Sequence, residues 1–232
     1  MNRFLIFVIL LVSAFYLRGM YLPKEHYTAK EVMQEELSDW KKVLVDSVGI
    51  SEPALNLSLN AYHLLLSENR LQNDSILTII DFSKPSGNKR LFILDIKNEK
   101  LLINTWVAHG MQSGLVVANS FSNNRHSNKS SLGLYITGAT YMGKHGYSLR
   151  IEGLSKGLND NAEKRAVVIH GADYVSTDFI EKHGRLGRSF GCPAVPVEQS
   201  TEIIDLIKNG SCLYIYHPSL IPISDSDLEK LN

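Results

Sequence analysis

From Ser75 onward the chain changes to a period of two, and that alternation limits the fold more than any other feature. The runs "SILTIIDFS" and "KRLFILDIK" are rich in β-branched and aromatic residues and are joined by "KPSGN", a turn signal. "KNEK" then turns the chain into "LLINTWVAHG", which makes a meander. "SLGLYITGATYMG" and "YSLRIEG" are two more strand candidates, separated by Gly143 and Gly146. "AVVIHG" is almost wholly apolar, the pattern of a strand buried on both faces. A short helix is predicted from Ser176 to His183, a longer one over "VEQSTEIIDLIKNG", and a last strand over "SCLYIYH". Short strands at regular spacing predict a mainly β domain, a barrel or sandwich with a few flanking helices, over residues 71–218. A C-terminal tail would follow over 219–232.

The first 70 residues follow another period. Thr28 and Glu31 form a capping box, and Val32, Met33, Leu37, Trp40, Val43 and Leu44 recur at helical spacing. A second helix should follow Ser51, with Pro53 in its first turn. Together they predict a helical appendage over 21–70. Before it, "MNRFLIFVILLVSAFYLRGM" opens with Arg3 and then runs apolar from Phe4 to Leu17. As a helix that run is roughly 21 Å long, short of a ~30 Å bilayer core. The expectation over residues 1–20 is an export signal or a short membrane anchor, with the folded part outside the cytoplasm.

Lys plus Arg and Asp plus Glu both number 24. A chain with no net charge lacks the footprint of a nucleic-acid binder. The chemistry gathers instead in "VVIHGADYVSTDFIEKHGRLGRSFGCPAVP", from Val167 to Pro196. His170 closes the apolar strand, and Gly184, Gly187 and Gly191 lead to Cys192, one of two cysteines. A histidine within reach of a cysteine can take the thiol proton and make the nucleophile. Arg185 and Arg188 would add positive potential, and Gly191 would leave adjacent backbone N–H groups free for an oxyanion. The partner thiol, Cys212, opens a strand-like run, an environment unlike the Gly-rich loop. Cys192 is therefore expected to be free of a disulfide.

These residues resemble the murein L,D-transpeptidase catalytic-domain family, the YkuD-like fold. Its signature is His-Gly, a gap of about twenty residues, then Ser-x-Gly-Cys; His170, Gly171, Ser189, Gly191 and Cys192 match it in order. "SSLGLYITGATYMGKHGYSLRI" is similar to the family's segment leading into the substrate groove, which would put Tyr141 there. The resemblance implies a cysteine enzyme of the cell envelope or periplasm acting on peptidoglycan tetrapeptide stems. Cys192 would form a thioester and His170 would move the proton, oriented by the Gly171 carbonyl. The N–H groups of Phe190, Gly191 and Cys192 would hold the oxyanion. No cofactor is implied. Ser189, Arg188, His109, His145, Arg125 and Lys129 are expected to meet substrate, with 121–147 shaping the groove. Two positions depart from the pattern: Phe190 stands where many members have His, and Ala194 where many have Arg. Arg188 is the candidate for the missing charge.

Other readings of the same residues stay open at this point. His109, His126, His145 and His170 with Cys192 could supply a zinc-dependent murein peptidase or amidase, although no pair has tight ligand spacing. A sortase-like enzyme shares the Cys, His and Arg logic. A wall-binding module that had lost activity would also fit the missing arginine.

Overall fold

The computed structural model describes residues 39–220. The export or anchor segment, most of the first predicted helix and the tail beyond 220 lie outside the described residues. Among the described residues no helix is long and apolar enough to cross a membrane.

The elements follow the hydrophobic pattern. Residues 39–46 are helical. Next come α1 (Glu52–Ser67), β1 (Ile76–Asp81), β2 (Leu91–Asp95), β3 (Lys100–Thr105), β4 (Gly133–Gly143), β5 (Gly146–Gly153) and β6 (Val168–Gly171). After them stand α2 (Thr177–His183), β7 (Ala194–Val195), α3 (Val197–Ile207) and β8 (Cys212–Tyr216). The protein is mainly β, as the alternation predicts.

All eight strands join one sheet, nearly closed on itself, in the order β3-β2-β1-β8-β4-β5-β6-β7. β1–β2, β2–β3 and β4–β5 pair antiparallel across short turns; β5–β6 is also antiparallel, and β6–β7, with α2 between them, is parallel. β8 is different. It enters between β1, to which it is parallel, and β4, to which it is antiparallel. Every residue of β1 and β8 is buried, so both lie in the interior of the sheet with both faces covered. Just past β3, Ala108 bridges Ala194 of β7, so the two sheet edges meet there.

Two helices cover the sheet. α1 begins with Pro53 in its first turn and buries Leu55, Leu59, Tyr62 and Leu65 against β1 and β8. The Tyr62 hydroxyl donates to the Asp74 carbonyl at 2.6 Å. α3 lays Ile203, Ile204 and Ile207 on β6, β5 and β1. α2 is held by Ser176, whose hydroxyl accepts the Phe179 N–H at 3.3 Å, and stops at Gly184.

Candidate active site

The site grows from the end of β6. His170 pairs with Ser148 of β5 on one side and with Ala194 of β7 on the other. Its Nδ1 lies 2.8 Å from the Gly171 carbonyl. A carbonyl only accepts, so Nδ1 carries the proton and Nε2 is left as the base. Burial holds the imidazole below its ordinary value; the Gly171 carbonyl opposes this, and His145 and Lys144 add to it. The ring of His145 stacks on His170 at 4.3 Å between centroids. His145 comes from the tip of the β4–β5 hairpin, which delivers it through Gly143–Gly146.

Gly171 has a packing reason to follow the histidine. A Cβ there would sit 2.9 Å from the Ser200 hydroxyl and 3.2 Å from the Val197 Cα. Only glycine lets α3 approach the end of β6 this closely.

The cysteine loop is pinned between two strands. Ser189 N–H donates to the His109 carbonyl at 3.0 Å, and Met111 N–H donates to the Ser189 carbonyl at 2.8 Å. The Ser189 hydroxyl donates to the Cys192 carbonyl at 2.6 Å and accepts the Gly191 N–H at 3.0 Å. Ser189 is thus spent on the loop itself and is not free to meet substrate, which corrects that expectation. The same bond removes Gly191 from the expected oxyanion donors. Among the described residues the N–H groups of Phe190 and Cys192 have no acceptor, and the Phe190 ring projects into solvent. Gly191 stands at φ 125°, and a Cβ would lie 2.8 Å from the Lys129 carbonyl. Conformation and space both demand glycine there.

Cys192 is a partly exposed free thiol, and Cys212 is a buried one. The Cys192 sulfur faces the Ala166 carbonyl at 3.8 Å. Ala166 takes a left-handed φ of 53°, unusual for a side-chain-bearing residue, and this turns its carbonyl toward the sulfur. Burial pushes the Cys192 thiol up; the Val168 N–H, Arg165 and Lys144 pull it back. Burial thus favours the neutral form of both the Cys192 thiol and the His170 imidazole.

The cations are not those the sequence suggests. Arg188 turns its guanidinium to the Met111 and Gly114 carbonyls, at 3.0 and 3.1 Å. Arg185 donates to the Leu186 carbonyl at 2.7 Å. The cations that act on the thiol are Arg165 and Lys144. Sequence reasoning missed both. Arg165 lies in "NDNAEKRAVV", just before β6, and its place before the histidine strand was the available signal. Ala194, where many family members have Arg, is buried with Ala108, Ala172, Val175 and Leu186, so no arginine fits there.

The expected groove residues divide. His109 is wholly buried, and this corrects its placement in the groove. Its Nδ1 accepts a hydrogen bond from the Arg90 guanidinium at 2.8 Å, and its Nε2 donates to the Gly114 carbonyl at 3.2 Å. Both nitrogens are occupied, so His109 can neither touch substrate nor bind zinc. Among the described residues no three His, Cys, Asp or Glu side chains gather as a metal site. Tyr141 lies under the Arg150 guanidinium at 4.6 Å. Lys129 Nζ donates to the Ser120 hydroxyl at 2.6 Å, and Arg125 is exposed. A cleft of about 530 Å³ opens between the end of β6 and α3, lined by His145, Tyr147, Gly171, Asp173, Tyr174 and Ser200 among others.

Comparison with solved structures finds an L,D-transpeptidase from Mycobacterium smegmatis, 12% identical, with 62% of this chain and 59% of that chain covered and a TM-score of 0.38. A mutant of the helical cell shape determining protein from Campylobacter jejuni is 14% identical, with 69% and 57% covered and a TM-score of 0.42. An L,D-transpeptidase from Enterococcus faecium, also a mutant, is 14% identical, with 59% and 48% covered and a TM-score of 0.34. The chain thus spans less than two thirds of the length of each. A search of curated proteins finds no match. The sequence model of the L,D-transpeptidase catalytic domain matches residues 46–216, most of the chain and all of the sheet, and the chain belongs to that family.

Proposed function

We propose that the protein is a cysteine-dependent peptidoglycan L,D-transpeptidase, working outside the cytoplasmic membrane on tetrapeptide stems. The observation that carries this reading is the orientation of His170. The Gly171 carbonyl fixes its Nδ1 proton, and β6 sets it in register with the strand that follows Cys192. No carboxylate is needed as a third member.

In this mechanism the thiol turns from the Ala166 carbonyl toward His170 Nε2, which takes its proton. The thiolate attacks the L-centre carbonyl of the stem's third residue. The Phe190 and Cys192 N–H groups donate to the oxyanion, where charge develops. His170 returns the proton to the departing D-Ala amine, and the thioester remains. A second stem's amine, or water, then gives a proton to His170 and attacks the thioester, and the thiolate leaves and is reprotonated. The cleft beside His145 and Gly171 provides room for part of a stem.

The test is incubation of the folded protein with tetrapeptide muropeptides, followed by mass analysis. Loss of D-Ala with cross-linked or tripeptide product is expected. Cys192→Ala and His170→Ala should each abolish it without unfolding the protein, and the double variant should be little worse than either single. An unchanged muropeptide profile with the unaltered protein would refute the reading.

A further inference from the structure

We infer that Arg165 is the positioning cation of the cysteine site: its guanidinium, fixed by the 122–131 loop against the Gly191 turn, holds positive charge beside the Cys192 thiolate. This rests on the proposed role of Cys192 as nucleophile.

The guanidinium is anchored, not loose. Its Nη1 donates to the Ser122 carbonyl at 2.8 Å and the Ser131 hydroxyl at 3.1 Å. Its Nη2 donates to the Lys129 carbonyl at 2.5 Å and the Ser127 hydroxyl at 3.4 Å. With four bonds made to the protein, both ends of the fork are engaged, so Arg165 is not poised to grip a substrate carboxylate. It faces inward instead. Nη2 lies 3.2 Å from the point where a Gly191 Cβ would be, and the same Lys129 carbonyl crowds that point from the other side. Arg165 and its loop thus fill the space behind the residue that precedes the nucleophile. The next residue, Ala166, turns its carbonyl onto the sulfur. One short turn before β6 supplies both the cation behind the loop and the acceptor in front of it.

The other groups facing the thiol do not replace this charge. Lys144 sits at the exposed hairpin tip, Tyr174 is neutral, and His170 and His145 are the base and its stacking partner. Arg165 is half-buried and held, so water screens it less. When Cys192 loses its proton to His170, the charge left on sulfur is opposed by burial. A fixed cation offsets that cost.

Replacement by Met removes the charge and keeps the bulk; replacement by Lys keeps the charge and loses the fork. The pH dependence of Cys192 alkylation by iodoacetamide reads the thiol without requiring turnover. Arg165→Met should move the midpoint to higher pH and slow alkylation several-fold below it. With tetrapeptide, kcat should fall while KM stays near that of the unaltered protein. Arg165→Lys should keep the midpoint. A Met variant with the unaltered midpoint and a normal thermal melt overturns the inference. So does a Lys variant shifted as far as the Met variant, since loop geometry would then be the source. If the Met variant does not fold, Arg165→Gln, which removes the charge and keeps an amide donor, takes its place under the same criteria. A midpoint shift in a protein that leaves muropeptides untouched would uphold the inference and reject the proposed function.

Discussion

At the scale of single residues, burial favours the uncharged form of both His170 and Cys192. Burial lowers the His170 value first, the Gly171 carbonyl opposes it, and the neighbouring His145 and Lys144 lower it further. The protonated form is disfavoured, so a free Nε2 lone pair persists below the ordinary imidazole range, as the proposed role of His170 requires. The acid limb of kcat/KM should accordingly lie at a lower pH than an exposed histidine would give. His145→Ala removes both the stacked ring and the repulsion, and each change raises the His170 value. The acid limb should therefore move to higher pH, with kcat at alkaline pH little altered; a stationary limb would show that the stack does not tune the base. Gly191 offers a sharper test of loop geometry. Gly191→Ala meets both the left-handed φ and the Lys129 carbonyl. It should cost about 1–3 kcal/mol on a denaturant curve and remove activity together with it.

At the scale of elements, most of the fold is legible in the alternation. β1, β2, β4, β5, β6 and β8 stand where period-two runs and turn signals put them, because each pleated face meets its own burial. β7 was not visible. "CPAVP" reads as loop, and its two-residue strand exists only because β6 and Ala108 flank it. The side chains that sequence reasoning misplaced share one cause. His109, Ser189 and Arg188 stand at or near glycines, but their direction is set by tertiary contacts for His109 and Arg188 and by the fold of the cysteine loop for Ser189. Arg90 captures His109, the cysteine loop captures Ser189, and the 111–114 turn captures Arg188. The His170 and Cys192 segments could be paired from the motif alone, whereas Arg165 could not, since its loop lies some forty residues away. α1 belongs to the same core as the strands. Leu65 is wholly buried, and Leu65→Ala should lower stability by about 2–5 kcal/mol, measured by urea unfolding; a change under about 1 kcal/mol would mean that α1 is dispensable packing.

At the scale of the whole molecule, the buried Arg90–His109 pair ties the fold to pH. Burial and Arg90 push His109 down to about 4, with the Gly114 carbonyl opposing. The unfolded chain protonates near the usual 6.5, so stability is complete above that value and falls as pH drops from about 6.5 toward 4. The loss is on the order of 3 kcal/mol at full extent. Thermal melts across that window should show the decline, and His109→Gln, which can accept from Arg90 and donate to Gly114, should flatten it; an equal slope in the variant would place the effect elsewhere. The position of β8 has a different consequence, one of timing. Among the described residues it is the last strand in sequence, and it sits in the middle of the sheet, between β1 and β4. Until it arrives, two apolar edges lie open, and the loop that must close to seat it spans nearly the whole domain. Such a topology folds slowly and late. A chain delivered in order from its N-terminus should therefore stay unfolded until β8 arrives, and truncation before Cys212 should leave a product that aggregates instead of a smaller domain.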